Sequence, residues 1–193
     1  MIVYHGGVSE IRHPDLAHAK TRLDFGKAFY LTTFKAQAEK WAKRKASRTR
    51  KSPIVNKYEL SEDFAGFKVK DFGATNVAWL DFVCACRGGK TVWRQFDVIK
   101  GRVANDDVFK TIDSYLKGDI TKTAAIRELR YAKPNDQIAI NKTSALKRLL
   151  TFKGAFMRGL CQEGGPARPV ILSINAIEPR FYPQSGRPAT VAH

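Results

Sequence analysis

The sequence predicts an α+β domain, and three observations carry that prediction. Residues 25–33 are filled with aromatic and β-branched side chains and run straight into residues 34–46, which are rich in Ala, Lys, Gln and Glu, so a short strand feeds a helix. Residues 54–60 and 67–70 alternate apolar and polar like half-buried strands, with Ala65-Gly66 near a turn. Asn76, Asn105 and Thr121 each stand where a side-chain oxygen can cap the helix that follows. At 193 residues and 44% hydrophobic, the chain is long enough for one domain that buries about 70% of its unfolded surface.

In order along the chain, residues 2–5 open as a strand that Gly6-Gly7 halts, leaving His5 at its end either as a polar strand terminus or facing whatever the glycines admit. Residues 8–24 read as loop and short helix, with Pro14-Asp15 as a turn or a helix start. In the strand that follows, Tyr30 points away from Phe29 and Leu31. Thr33 is the expected N-cap of the next helix, on which Ala38, Trp41, Ala42 and Ala46 form one stripe. Asn76 caps a helix through Cys86 with Trp79, Leu80 and Val83 on its apolar side, and Asp81 reads as an exposed or capping carboxylate. Residues 96–99 form a short strand. A helix then starts at Asn105-Asp106-Asp107, carries Val108, Ile112, Tyr115 and Leu116, and stops before Gly118. Thr121 caps another helix through Tyr131. Pro134-Asn135 resets the chain to a strand over 136–140, and Thr143 or Ser144 starts a last helix with Leu146, Leu149, Leu150 and Phe152. Residues 153–193 are rich in Gly and Pro and form an appendage, with one further strand expected at 170–174.

Charge limits the partners. Thirty-four Lys and Arg stand against 18 Asp and Glu, a formal net charge of +16, which favours nucleic acid or anionic cofactors. The run Lys40, Lys43, Arg44, Lys45, Arg48, Arg50 and Lys51 is one-signed, so it is either a solvated helix face or a set of phosphate contacts. Cys84, Cys86 and Cys161 lack zinc-type spacing, so reduced thiols and no metal are expected. Met1 leads directly into residues 2–5 without a basic leader, and no apolar run approaches about 18 residues. A cytoplasmic protein without membrane contact is the expectation.

His5-Gly6, the aromatic strand Phe29-Tyr30-Leu31-Thr32 and Trp41, eleven positions after Tyr30, together resemble the ADP-ribosyltransferase fold in its diphtheria-toxin-like branch. The runs Val3-Tyr4-His5-Gly6-Gly7, Leu23-Asp24-Phe25-Gly26-Lys27, Trp79-Leu80-Asp81-Phe82-Val83 and Val103-Ala104-Asn105-Asp106 are similar to a bacterial family known as domain of unknown function 3990, placed among ADP-ribosyltransferase-like proteins. The resemblance covers residues 1–152. It implies a split β-sandwich of two small sheets with flanking helices, and NAD as a substrate gripped by His5, Gly6, Gly7, Tyr30, Thr32 and Trp41.

In such a site Tyr30 and Trp41 sandwich the nicotinamide ring, His5 bonds a ribose hydroxyl, and the glycines admit the cofactor closely. Arg12, Lys27 and Arg87 are the candidates for the pyrophosphate. His5, Tyr30 and Gln137 are the expected catalytic residues, but Gln137 stands where related enzymes place a glutamate and brings no negative charge. Glu59 and Glu128 are the candidates for a carboxylate supplied from elsewhere. The resemblance implies a mono-ADP-ribosyltransferase acting on a macromolecule, for which the charge favours DNA or RNA, and a role as the toxin of a toxin–antitoxin pair with an antitoxin as partner. The alternative is a catalytically silent module of the same fold that binds NAD or nucleic acid.

Overall fold

Alternation along Ile2–Gly7, the first strand (β1), sends Val3 and His5 to one face and Tyr4 and Gly6 to the other, and that division orders the layers of the fold. The structure is a computed structural model that describes residues 1–73, 75–103, 106–129 and 135–157, all within the compact unit Met1–Leu160. Among the described residues there are two sheets and five α-helices, a mixed α+β architecture. The three-stranded sheet has β3 (Ile54–Leu60) between β1 and β7 (Leu150–Met157), all antiparallel. The four-stranded sheet runs β2 (Phe29–Leu31), β6 (Gln137–Ile140), β5 (Val98–Gly101), β4 (Val69–Asp71), with only the β4–β5 pair parallel.

Side chains of both sheets share one core, Val3, Tyr58 and Leu60 meeting Phe29, Leu31, Val98, Ile138 and Ile140. The sheets are also tied by backbone, since the Tyr4 amide donates to the Thr32 carbonyl at 2.8 Å and the Thr32 amide to the Tyr4 carbonyl at 3.0 Å. The far face of the four-stranded sheet carries Ile99 and Ala139 against α2 (Val77–Arg87), α3 (Asp106–Lys117) and α4 (Lys122–Leu129). With both faces covered, all four residues of β6 are buried.

The far face of the three-stranded sheet receives α1 (Lys35–Thr49) through Ala38 and Ala42, which pack with Val55. A Cβ on Gly6 would lie 2.1 Å from the Ala38 carbonyl oxygen, so helix and strand touch backbone to backbone. Only small side chains fit such a contact. The buried stripe is therefore Ala38, Ala42 and Ala46, and Trp41, expected among them, is 41% exposed.

Two capping expectations hold: Asn76 Oδ1 accepts from the Trp79 amide at 2.9 Å and Thr121 Oγ1 from the Ala124 amide at 3.2 Å. The Thr33 cap does not form. Phe34 is the N-cap of α1, and the Thr33 hydroxyl and amide both donate to Asp136 instead. The last helix, α5 (Thr143–Leu149), is also shorter than expected, because Leu150 and Phe152 belong to β7. Leu150 and Phe152 face the core shared by the sheets, Phe156 packs on the other face with Val55, and pairing with the whole of β3 outweighs another helical turn; Gly154, at φ +134°, lies beside the register shift between Lys57 and Tyr58. The strands expected at 67–70 and 96–99 lie slightly later, at Val69–Asp71 and Val98–Gly101. The Asn105 cap, the Val108 and Leu116 side chains, Tyr131, Pro134, Cys161 and the strand at 170–174 lie outside the described residues.

The Gly6 contact generates a prediction. Gly6→Ala forces a methyl group into the Ala38 backbone and lowers stability by about 3 kcal/mol, measured by urea denaturation, while Gly7→Ala, whose Cβ would come no nearer than 3.6 Å to its neighbours, costs far less.

Candidate functional site

His5 lies inside β1 and not at its end, because Gly6 and Gly7, expected to halt the strand, go on pairing with Val55 and Ile54 of β3. Its Nδ1 lies 2.8 Å from the Tyr30 carbonyl oxygen, and its ring stacks on Phe29 with centroids 4.4 Å apart and planes at 19°. A carbonyl only accepts, so Nδ1 carries the proton and Nε2 is left with its lone pair. Burial, reinforced by the Lys45 ammonium, pushes the imidazole down to about 4 against the opposing pull of the Tyr30 bond. His5 is thus neutral at pH 7. A Cβ on Gly7 would sit 3.6 Å from both Nε2 and Cδ2, so the glycine puts no side chain against that edge of the ring.

Lys45 itself is pushed below the ordinary lysine range, by desolvation first and by Lys20 second. Lys45 thus brings positive charge towards the imidazole, and Lys20 brings more towards Lys45, a distribution that an anion relieves. Neither lysine is distinguishable in the sequence, because Lys45 is one of a run of cations and Lys20 lies in a loop.

Tyr30 faces the other way. Its hydroxyl donates to the Gly26 carbonyl at 2.8 Å and accepts from the Phe25 amide at 3.0 Å, closing the loop before β2. Burial, then the neighbouring Asp24 carboxylate, holds the phenol well above its usual range. The ring packs with the helices on the far side of the four-stranded sheet, whereas His5 stacks on Phe29 on the side shared by the two sheets. His5 meets Tyr30 only at the latter's backbone. Among the described residues no ring contact joins Tyr30 to Trp41, whose indole instead lies under the Arg44 guanidinium at 5.4 Å. Gly6, expected to admit a cofactor, is occupied by α1.

Gln137 is 7% exposed, and its Nε2 donates to Asp24 Oδ2 and to the Arg102 carbonyl, both at 3.1 Å. Asp24 Oδ1 accepts from Arg87 Nε at 2.8 Å and Nη2 at 2.6 Å. The carboxylate next to Gln137 is therefore Asp24, which stands in the Leu23–Lys27 motif but was not singled out by any local signal. Glu59 pairs with Lys153 at 2.6 Å, which holds its carboxyl below the usual range, and Glu128 accepts from the Thr111 hydroxyl on the surface of α3 and α4. Neither reaches Gln137 by any hydrogen bond.

The expected pyrophosphate contacts fare similarly. Arg87 is held by Asp24, and Arg12 by Glu10 at 2.5 Å and by the Phe152 ring. Lys27 is half-buried without an ion-pair partner among the described residues. The Thr32 hydroxyl donates to Asp136 at 2.6 Å. Asp136 and Gln137 line a cleft of about 300 Å³ with Thr33, Lys100, Arg102 and Asn135, at the ends of β5 and β6.

Among the described residues no cluster of three His, Cys, Asp or Glu side chains is placed to hold a metal ion, and no helix is long and apolar enough to cross a membrane. Cys84 and Cys86 are free and buried, and burial pushes the Cys86 thiol up to about 12.

Two predictions follow from these environments. The His5 ring titrates with a midpoint near 4 instead of 6.5 in an NMR pH series. The unfolded chain takes up that proton first, so this residue's contribution is complete above pH 6.5 and is lost as pH falls towards 4. Gln137→Glu sets a second buried carboxylate against Asp24; it lowers stability at pH 7 by about 2 kcal/mol, and the deficit shrinks towards pH 5 as the new carboxyl protonates and donates to Asp24, read by denaturation at the two pH values.

No curated protein and no solved structure matches the chain. Residues 1–152 match the family described as "Protein of unknown function (DUF3990)", and the chain belongs to that family.

Proposed function

We propose that the protein is a mono-ADP-ribosyltransferase that binds NAD and transfers its ADP-ribose to a macromolecular acceptor. The observation that carries this reading is His5: a neutral imidazole whose tautomer is set by the Tyr30 carbonyl, with Nε2 as an acceptor against which Gly7 places no side chain. Nε2 accepts a hydrogen bond from a ribose hydroxyl, and Lys45 and Lys20 meet the pyrophosphate. Two small sheets with a common core, tied at Tyr4 and Thr32, support the split β-sandwich of ADP-ribosyltransferase-like proteins.

In the transfer, the bond between nicotinamide nitrogen and ribose C1′ breaks with its electron pair going to nicotinamide, which leaves neutral. An acceptor oxygen or nitrogen forms the new bond to C1′ and gives up its proton to solvent. The chain's own contribution is orientation and charge: His5 fixes the ribose, and Phe29 and the Tyr30 carbonyl fix His5. Gln137 stays within the Asp24–Arg87 network and adds no base. The acceptor must then be a good nucleophile. A cytoplasmic enzyme of this kind needs restraint, so an antitoxin protein is its implied partner.

A second reading is favoured by the same Gln137, whose amide is already engaged by Asp24 and Arg102: a silent module that binds NAD without turnover. Calorimetry with NAD and chromatographic detection of nicotinamide separate the readings. The parent binds NAD and releases nicotinamide in the presence of acceptor. His5→Asn keeps a donor for the Tyr30 carbonyl and loses the Nε2 acceptor, and weakens NAD binding about tenfold, or about 1.4 kcal/mol. Binding without nicotinamide selects the silent module; no binding, or equal binding by parent and variant, overturns both.

A further inference from the structure

Tryptophan is mostly buried in folded proteins, yet Trp41 stands on the surface of α1 with the Arg44 guanidinium over its ring. Its surroundings are of one sign. From residue 35 to residue 51 the chain carries eight Lys and Arg against one acid, Glu39, which is half-buried and has Lys35 within 4.0 Å. Lys40, Lys43, Arg48, Arg50 and Lys51 are exposed and have no ion-pair partner among the described residues. Because α1 packs through Ala38, Ala42 and Ala46, helical spacing puts Gln37, Trp41, Arg44 and Arg48 in a row along one flank of the outer surface, with Lys40 beside it.

We propose that this row is a docking surface for single-stranded nucleic acid, in which Trp41 stacks on an unpaired base while Arg44, Arg48 and Lys40 meet the flanking phosphates. An indole face needs a base whose own face is exposed, which a duplex does not offer along its length, and the cations follow the helix at a spacing suited to a backbone that tracks it. Charge complementarity selects a polyanion, and the aromatic selects one that carries planar bases. The surface stands apart from NAD chemistry and does not require it.

The test uses the full chain and fluorescein-labelled 12-nucleotide single strands of DNA and of RNA, a hairpin duplex and polyglutamate, from 50 to 300 mM salt. Trp79 and Trp93 are buried, so quenching of indole emission reports on Trp41. The expected result is binding of a single strand in preference to duplex and polyglutamate, with emission quenched. The logarithm of affinity should fall against the logarithm of salt with a slope of about −2 for three phosphate contacts. Trp41→Ala, an exposed position that leaves the fold intact by circular dichroism, weakens single-strand binding about 10-fold without changing that slope. Arg44→Gln and Arg48→Gln each make the slope shallower by about 0.7. Preference for DNA over RNA, or the reverse, identifies the sugar the surface takes and supports the proposal either way. Equal affinity for duplex, preference for polyglutamate, or Trp41→Ala binding as tightly as the parent overturns it.

Discussion

A buried carboxylate cannot stay charged without partners, and the arrangement around Asp24 is built to supply them. One oxygen takes two hydrogen bonds from Arg87 on α2 and the other takes the Gln137 amide from β6, so a single side chain in the loop before β2 ties helix, sheet and loop together. The Tyr30 hydroxyl closes the same loop through Gly26 and Phe25. The position of β2 follows from these contacts, and with it the placement of the Tyr30 carbonyl that receives His5. Much of what holds the imidazole is therefore remote from it and lies on the opposite side of the four-stranded sheet.

On the other side, the charge around His5 is positive. A neutral ring beside Lys45, itself near Lys20, differs from the acidic surroundings that histidine bases ordinarily use, and it suits recognition better than proton transfer. That agrees with the chemistry proposed above, in which the leaving group departs unprotonated and the protein's part is to hold a ribose and an anionic linker still. Gln137, on the other side of the sheet, works inside a structural network through its two hydrogen bonds.

What the sequence revealed, and what it concealed, divides by the range of the forces involved. Asn76 and Thr121 were legible as caps because a cap is a contact between near neighbours. The strands through Val3 and Tyr58 were legible because alternation is local too. β7 was hidden, since Leu146, Leu149 and Leu150 continue a helical rhythm and only the presence of β3 selects the strand. Thr33 looked like a cap until Asp136, distant in sequence, competed for its hydroxyl. At the candidate site His5 and its neighbouring glycines stood out as residues, but their duties did not. Gly6 faces a helix and Gly7 faces the imidazole, a distinction that depends on which side of β1 receives α1. Asp24, Lys20 and Lys45 carried no local mark, because their importance arises only from what folding brings beside them.

The contact between Gly6 and the Ala38 peptide has a mechanical meaning as well. With no side chain as a cushion, α1 and β1 move as one body at that point, and the very next peptide along the strand carries the imidazole. A tug on the outer flank of the helix reaches the ring through a stiff backbone lever a single residue long.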